Sequence, residues 1–169
     1  MSRKVEIFKD HVRRELTIER TVAIPLIYAW EGWTKPEHIT RWWGPKYWTA
    51  TVYEMDVRPG GIWRYSLRPV NGDVQEAYCK AVYQEVVETL RLVYIDNFTD
   101  KNWTLVENSE MYTTVTFEEV MDGSKLRIIT RFNSIEELNK ADEMGMVQGF
   151  TDAFNRLEEY FISKIGGKS

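Results

Sequence analysis

Few residues in this chain have the type and spacing to do chemistry, and each reads more readily as structure. The two histidines, His11 and His38, lie far apart, and neither has a Ser, Cys or carboxylate partner at the spacing nucleophilic catalysis uses. The lone Cys79 falls in a strand pattern, where a cysteine behaves as a small buried apolar residue. No metal site is expected, since one Cys and two isolated His supply too few ligands. The turn Asp56-Val57-Arg58-Pro59-Gly60-Gly61 lacks the glycine spacing and the Lys-Ser/Thr ending of a phosphate loop. Arg64, Arg127 and Arg131 would clamp a carboxylate or phosphate if they faced inward, but solvated outward arginine is the ordinary case. No catalytic residue and no cofactor are therefore expected.

The aromatic residues carry more information. Six of the seven tryptophans, Trp30, Trp33, Trp42, Trp43, Trp48 and Trp63, fall in the first 63 residues, with Tyr28, Tyr47, Tyr53 and Tyr65 among them. Such a cluster either fills the junction between short helices and a sheet or lines a ligand cavity with a few polar groups. Tyr65, Tyr78 and Tyr94 lie on strand patterns from which an inward hydroxyl could orient a ligand. Met55 and Met146 have the flexible side chains that fit irregular partners. Phe150 and Phe154 sit on one stripe of the last helical pattern with Val147, Leu157 and Phe161.

The elements that would position these residues follow from periodicity. Arg14–Val22 alternates as a strand. Pro25 opens a short helix bearing Tyr28, Trp30 and Trp33, and a second short helix carries Ile39, Trp42 and Trp43 before Gly44-Pro45. Strands are expected over Thr49–Val57, Ile62–Arg68, Gln75–Val87, Leu90–Phe98, Met111–Val120 and Lys125–Phe132. Turns are expected at Arg58–Gly61, Asn71-Gly72 and Asp122-Gly123, and a loop at Asp100–Ser109. Ser134 and Glu137 form a capping box. A terminal helix over Gly145–Lys164, about 30 Å long, follows it, with Gly145 and Gly149 as possible points of kinking or close approach. An antiparallel sheet with one apolar face needs this helix as cover.

The 169 residues, 43% hydrophobic and 28% charged with a net charge of −4, fit one domain with a single core. We read residues 1–12 as a polar lead-in, 13–165 as one domain and 166–169 as a tail. No apolar run is long enough for a membrane span, and the N-terminus lacks the pattern of a signal peptide. The mild acidity speaks against nucleic acid as a partner. The single cysteine suits a reducing, cytoplasmic compartment.

Several motifs resemble one family. Ile24-Pro25, Trp33-Thr34-Lys35-Pro36-Glu37-His38, Trp42-Trp43-Gly44-Pro45, the Asp56–Gly61 turn with Trp63, and the helix from Gly145-Met146-Val147-Gln148-Gly149 to Arg156-Leu157-Glu158-Glu159-Tyr160 match it in order. They are similar to bacterial proteins related to the C-terminal domain of the activator of heat-shock protein 90 ATPase, within the START-like (SRPBCC) superfamily. Gly32 departs from the pattern, which usually has alanine there. The resemblance, from about Leu16 to Phe161, implies an α+β helix-grip fold: about six to seven antiparallel strands curved around a long C-terminal helix, with two short helices after the first strand. It also implies a cavity between sheet and helix. The function expected is binding of a small apolar or aromatic ligand there without chemistry, with Trp30, Trp42, Trp43, Met55, Trp63, Tyr65, Tyr78, Tyr94, Met146, Phe150 and Phe154 as the contact set. Two alternatives stand beside it: a co-chaperone-like module that stimulates a chaperone ATPase in stress, and a cyclase- or hydrolase-type pocket enzyme. The sequence leaves open whether the protein is a monomer or a homodimer.

Overall fold

The computed structural model describes residues 4–71 and 75–166. Its strands are β1 (Glu6–Asp10), β2 (Glu15–Val22), β3 (Trp48–Met55), β4 (Ile62–Pro69), β5 (Ala77–Val87), β6 (Arg91–Thr99), β7 (Met111–Val120) and β8 (Gly123–Phe132). Its helices are α1 (Leu26–Thr34), α2 (Pro36–Ile39), α3 (Ile135–Glu143) and α4 (Met146–Gly166). The strands form one antiparallel sheet in the order β1-β2-β8-β7-β6-β5-β4-β3. Strands β3 to β8 pair in sequence order, each with the next, and β2 closes onto β8 along Glu15–Val22. No helix among the described residues is long and apolar enough to cross a membrane.

The sheet has eight strands, more than the six to seven expected. The addition is β1, which lies inside the expected polar lead-in and pairs with β2 from Glu6↔Glu19 to Asp10↔Glu15. All five of its residues are exposed, so it has no apolar face for periodicity to reveal. The Asn71-Gly72 turn lies partly outside the described residues.

Alternation does the sorting elsewhere. On β2, Leu16, Ile18, Arg20 and Val22 are buried on one face. On β5 and β6 the inward set is Cys79, Ala81, Tyr83, Leu92, Tyr94 and Asp96. Register shifts between Val52 and Glu54 and between Tyr83 and Glu85 mark bulges, which bend a sheet and increase its twist. The concave side so formed receives α1 and α4.

The helices follow their sequence signals closely. Pro36 opens α2, whose regular helix ends at Ile39; Trp42 and Trp43 lie in the following turn, with their amides bonded back to the Ile39 carbonyl at 3.3 and 3.0 Å. The Ser134 hydroxyl accepts the Glu137 amide at 3.2 Å, as a capping box requires. Gly145, at φ +93°, separates α3 from α4, a backbone conformation that side chains disfavour. The kink expected there is a full break.

Candidate functional site

The inner face of the sheet builds its site by register. One cross-strand row runs Met55–Trp63–Ala81–Asp96–Met111–Phe132 through five strand pairings. The next row is Val52–Tyr65–Cys79–Phe98. Facing residues of a row share one side of the sheet, so Trp63, Tyr65, Cys79 and Asp96 converge whatever their distance in sequence.

Aromatic rings pack over these rows as a continuous network. Trp43 is its hub, with ring centroids 5.6 Å from Trp33, 5.4 Å from Trp42, 5.1 Å from Trp63, 5.9 Å from Tyr65 and 5.8 Å from Phe150. Trp63 stacks on Tyr65 at 4.4 Å and meets Tyr94 edge-on at 5.8 Å. Phe150 reaches Phe154 at 6.0 Å, and Trp30 joins through Phe117 at 5.2 Å. Edge-to-face pairs of this kind each add about 0.5–1.5 kcal/mol beyond area burial. The position of Trp43 is fixed from α4: Arg156 donates to the carbonyls of Gly44 and Pro45 at 3.1 and 3.3 Å.

Within this apolar shell lies one carboxyl group. Asp96 Oδ2 accepts the Tyr65 hydroxyl at 2.8 Å. Asp96 Oδ1, the Tyr83 hydroxyl and the indole nitrogens of Trp33 and Trp63 are buried without hydrogen-bond partners. Burial pushes the Asp96 carboxyl up to about 7, against the lowering effect of the Tyr65 bond. Burial, reinforced by the Asp96 charge, likewise pushes the Tyr65, Tyr83, Tyr94 and Cys79 groups up, so all four stay neutral near pH 7. Cys79 is thus an inert thiol, as expected for a buried cysteine.

Of the expected contact residues, Trp30, Trp42, Trp43, Trp63, Tyr65, Tyr94, Phe150 and Phe154 belong to the one network. Met55 and Met146 are half-buried and pack against the core. Trp42 has a structural bond as well, its indole donating to the Gly32 carbonyl at 2.9 Å. Tyr78 stands apart. It neighbours inward Cys79, so it points to the outer face, where it meets Trp103 at 5.4 Å and Glu76 at 3.3 Å. That outer face also has an open groove of about 310 Å³, lined by Lys80, Val82, Gln84, Ile95, Asn97 and Leu105.

The remaining polar candidates are engaged elsewhere. Arg64 bonds Glu54 at 2.7 Å and lies over Trp103, Arg127 bonds Glu19 at 2.6 Å, and Arg131 lies over Tyr112. His38 shares a 2.7 Å hydrogen bond with Tyr160 at the α2–α4 contact. Among the described residues no group of three or more His, Cys, Asp or Glu could hold a metal ion. Asp96 and Tyr83 were missed by the motif reading. Counting by twos from Leu92 through Tyr94 places Asp96 on the buried face, and that parity is the signal that could have found it.

A family model described as Activator of Hsp90 ATPase homolog 1-like protein matches residues 24–162. A protein from Mycobacterium smegmatis of known crystal structure is 24% identical, superposes with a TM-score of 0.84, and is matched over 93% of this chain and 96% of its own. An Arthrobacter aurescens protein solved by NMR is 25% identical, with a TM-score of 0.83 over 90% of this chain and 88% of its own. A Staphylococcus epidermidis protein, also solved by NMR, is 24% identical, with a TM-score of 0.81 over 94% of each chain. No curated protein matches the chain.

Proposed function

The chain belongs to the family of Activator of Hsp90 ATPase homolog 1-like proteins, and from that premise we propose that it binds a small apolar or aromatic molecule between the sheet and α4 without transforming it. The observation that carries this reading is the set of partnerless polar atoms, Trp63 Nε1, Tyr83 hydroxyl and Asp96 Oδ1, buried among aromatic rings. Native cores pair nearly all such atoms, so an unpaired group of them marks a place made for something else. The contact set is Trp30, Trp42, Trp43, Met55, Trp63, Tyr65, Tyr94, Met146, Phe150 and Phe154; Tyr78, expected among them, drops out because it lies on the outer face with Trp103 and Glu76. A ligand reaches them past the start of α4, where Met146, Val147 and Phe150 are only half-buried while Ala153, Phe154, Leu157 and Phe161 are fully so. The lone buried Cys79 suits a cytoplasmic protein.

Native mass spectrometry on freshly purified protein, followed by a thermal-shift screen of aromatic and lipid-like compounds, tests the reading. A bound mass, or a midpoint that climbs with ligand concentration, supports it. A bare mass and a flat screen oppose it.

One observation favours a second reading, a pocket enzyme of cyclase or hydrolase type. Such an enzyme needs a polar group of displaced pKa in the cavity, and Asp96 with Tyr65 meets that condition for a general acid or base. Turnover of a bound compound that ceases in Asp96→Asn would establish it. Docking to a chaperone ATPase ranks behind both. Its partner would meet the outer edge of β1, where Ile7 and Phe8 are exposed, and a pull-down that returns no chaperone removes it.

A further inference from the structure

We propose that the ligand carries a hydrogen-bond donor, best an amine on an apolar or aromatic body, and that Asp96 Oδ1 receives it. The proposal rests on the cavity-binding reading above and names the chemical class of the molecule bound there.

Two acids are buried among the described residues, and only one faces the core. Glu19 lies on the outer face, paired with Arg127 at 2.6 Å and Lys125 at 3.3 Å. Asp96 lies inside, and no ion pair among the described residues includes it. Its Oδ2 is answered by Tyr65, the Asn97 backbone amide gives the carboxylate some further support, and its Oδ1 has no well-formed hydrogen bond. A buried carboxylate is ordinarily paired with a cation or fully hydrogen-bonded, because desolvation without compensation is costly. A ligand N–H would complete the pairing, and an ammonium would also supply the missing charge.

The surroundings point the same way. The titratable groups facing Asp96 are Tyr65 from β4, Cys79 and Tyr83 from β5 and Tyr94 from β6, each held neutral by burial. Register places Met111 and Thr113 of β7 on the same face. The side of α4 that meets the network presents Phe150 and Phe154. Among the described residues the buried cation on the inward face, Arg20 of β2, is already engaged by Glu158 at 3.0 Å and by Asn155. The aromatic rings, in contrast, favour a positive charge through their faces.

Calorimetric titration of the intact chain with 2-phenylethylamine, ethylbenzene and 3-phenylpropionate separates the outcomes. The amine should bind roughly tenfold or more tightly than ethylbenzene, the scale of a hydrogen bond to a charged group. With the Asp96 carboxyl at about 7, its affinity should rise by about tenfold from about pH 6 to about pH 8, as the acceptor ionises. Asp96→Asn should remove the amine's advantage over ethylbenzene. Tyr65→Phe, which keeps the carboxyl, should retain most of the amine preference. Equal binding of amine and ethylbenzene, or a preference for phenylpropionate, overturns the proposal while leaving the cavity reading intact. Failure of all three probes counts against the cavity reading itself, and the proposal falls with it.

Discussion

At the residue scale, Asp96 is the group whose charge the fold accommodates least. Burial holds its carboxyl at about 7 in the folded chain, above the ordinary value of 3.8. A folded-state pKa above the unfolded one means that the native state holds the proton more tightly. Stability from this group is therefore fully present below the unfolded value and is lost as pH rises through about 7. We predict that Asp96→Asn gains on the wild type between about pH 4 and about pH 7, by an amount limited to about 4 kcal/mol by linkage. Urea denaturation of both proteins across that range checks it, and a constant difference would contradict it. The sequence held the tryptophans in plain view, because their types and motif spacing announce themselves. Asp96 was harder to see. In the segment Tyr94-Ile95-Asp96-Asn97 it reads as the polar end of a strand, and only the parity shared with Leu92 turns it inward. Tyr78 shows the converse, for its strand was plain but its face was fixed only by the burial of Cys79, Ala81 and Tyr83.

At the scale of elements, α4 is held by polar bonds as much as by its apolar stripe. Arg20, buried on the inward face of β2, donates to Asn155 Oδ1 at 2.5 Å and to Glu158 Oε1 at 3.0 Å. The Ala23 amide donates to Glu158 Oε2 at 2.6 Å. Glu158→Ala strips the carboxylate from a buried guanidinium and should cost about 3 kcal/mol in chemical denaturation. Arg156, in the same turn, joins α4 to the Gly44-Pro45 loop that follows Trp43. Arg156→Ala should cost about 2 kcal/mol. It should also weaken ligand binding, whereas Glu158→Ala should affect mainly stability. Equal effects of the two on binding would argue against Trp43 as the hub. The α1–α4 contact explains a departure that the family pattern made visible: a Cβ on Gly32 would lie 2.9 Å from Phe161 Cε2 and 3.0 Å from Leu157 Cδ1. Periodicity alone gave the helices and most strands. It could not give β1, whose exposed residues are held by ladder bonds to β2 and leave no burial pattern.

At the scale of the whole molecule, the antiparallel sheet and its covering helix enclose an aromatic network in which Asp96 is, among the described residues, the one buried acid facing the core. Fold and family were legible because motif order spans most of the chain and the match covers residues 24–162. The occupant was not, since complementarity of shape depends on side-chain positions that no spacing rule encodes. A ligand entering between sheet and α4 would meet the unpaired polar atoms there. The most direct measurement is the ¹H–¹⁵N spectrum of the labelled protein during titration with 2-phenylethylamine. The indole N–H of Trp63, buried without a partner, should shift with the amides around Asp96 and Phe150. Shifts confined to the outer groove around Lys80, Gln84 and Asn97, with the Trp63 indole unmoved, would contradict it.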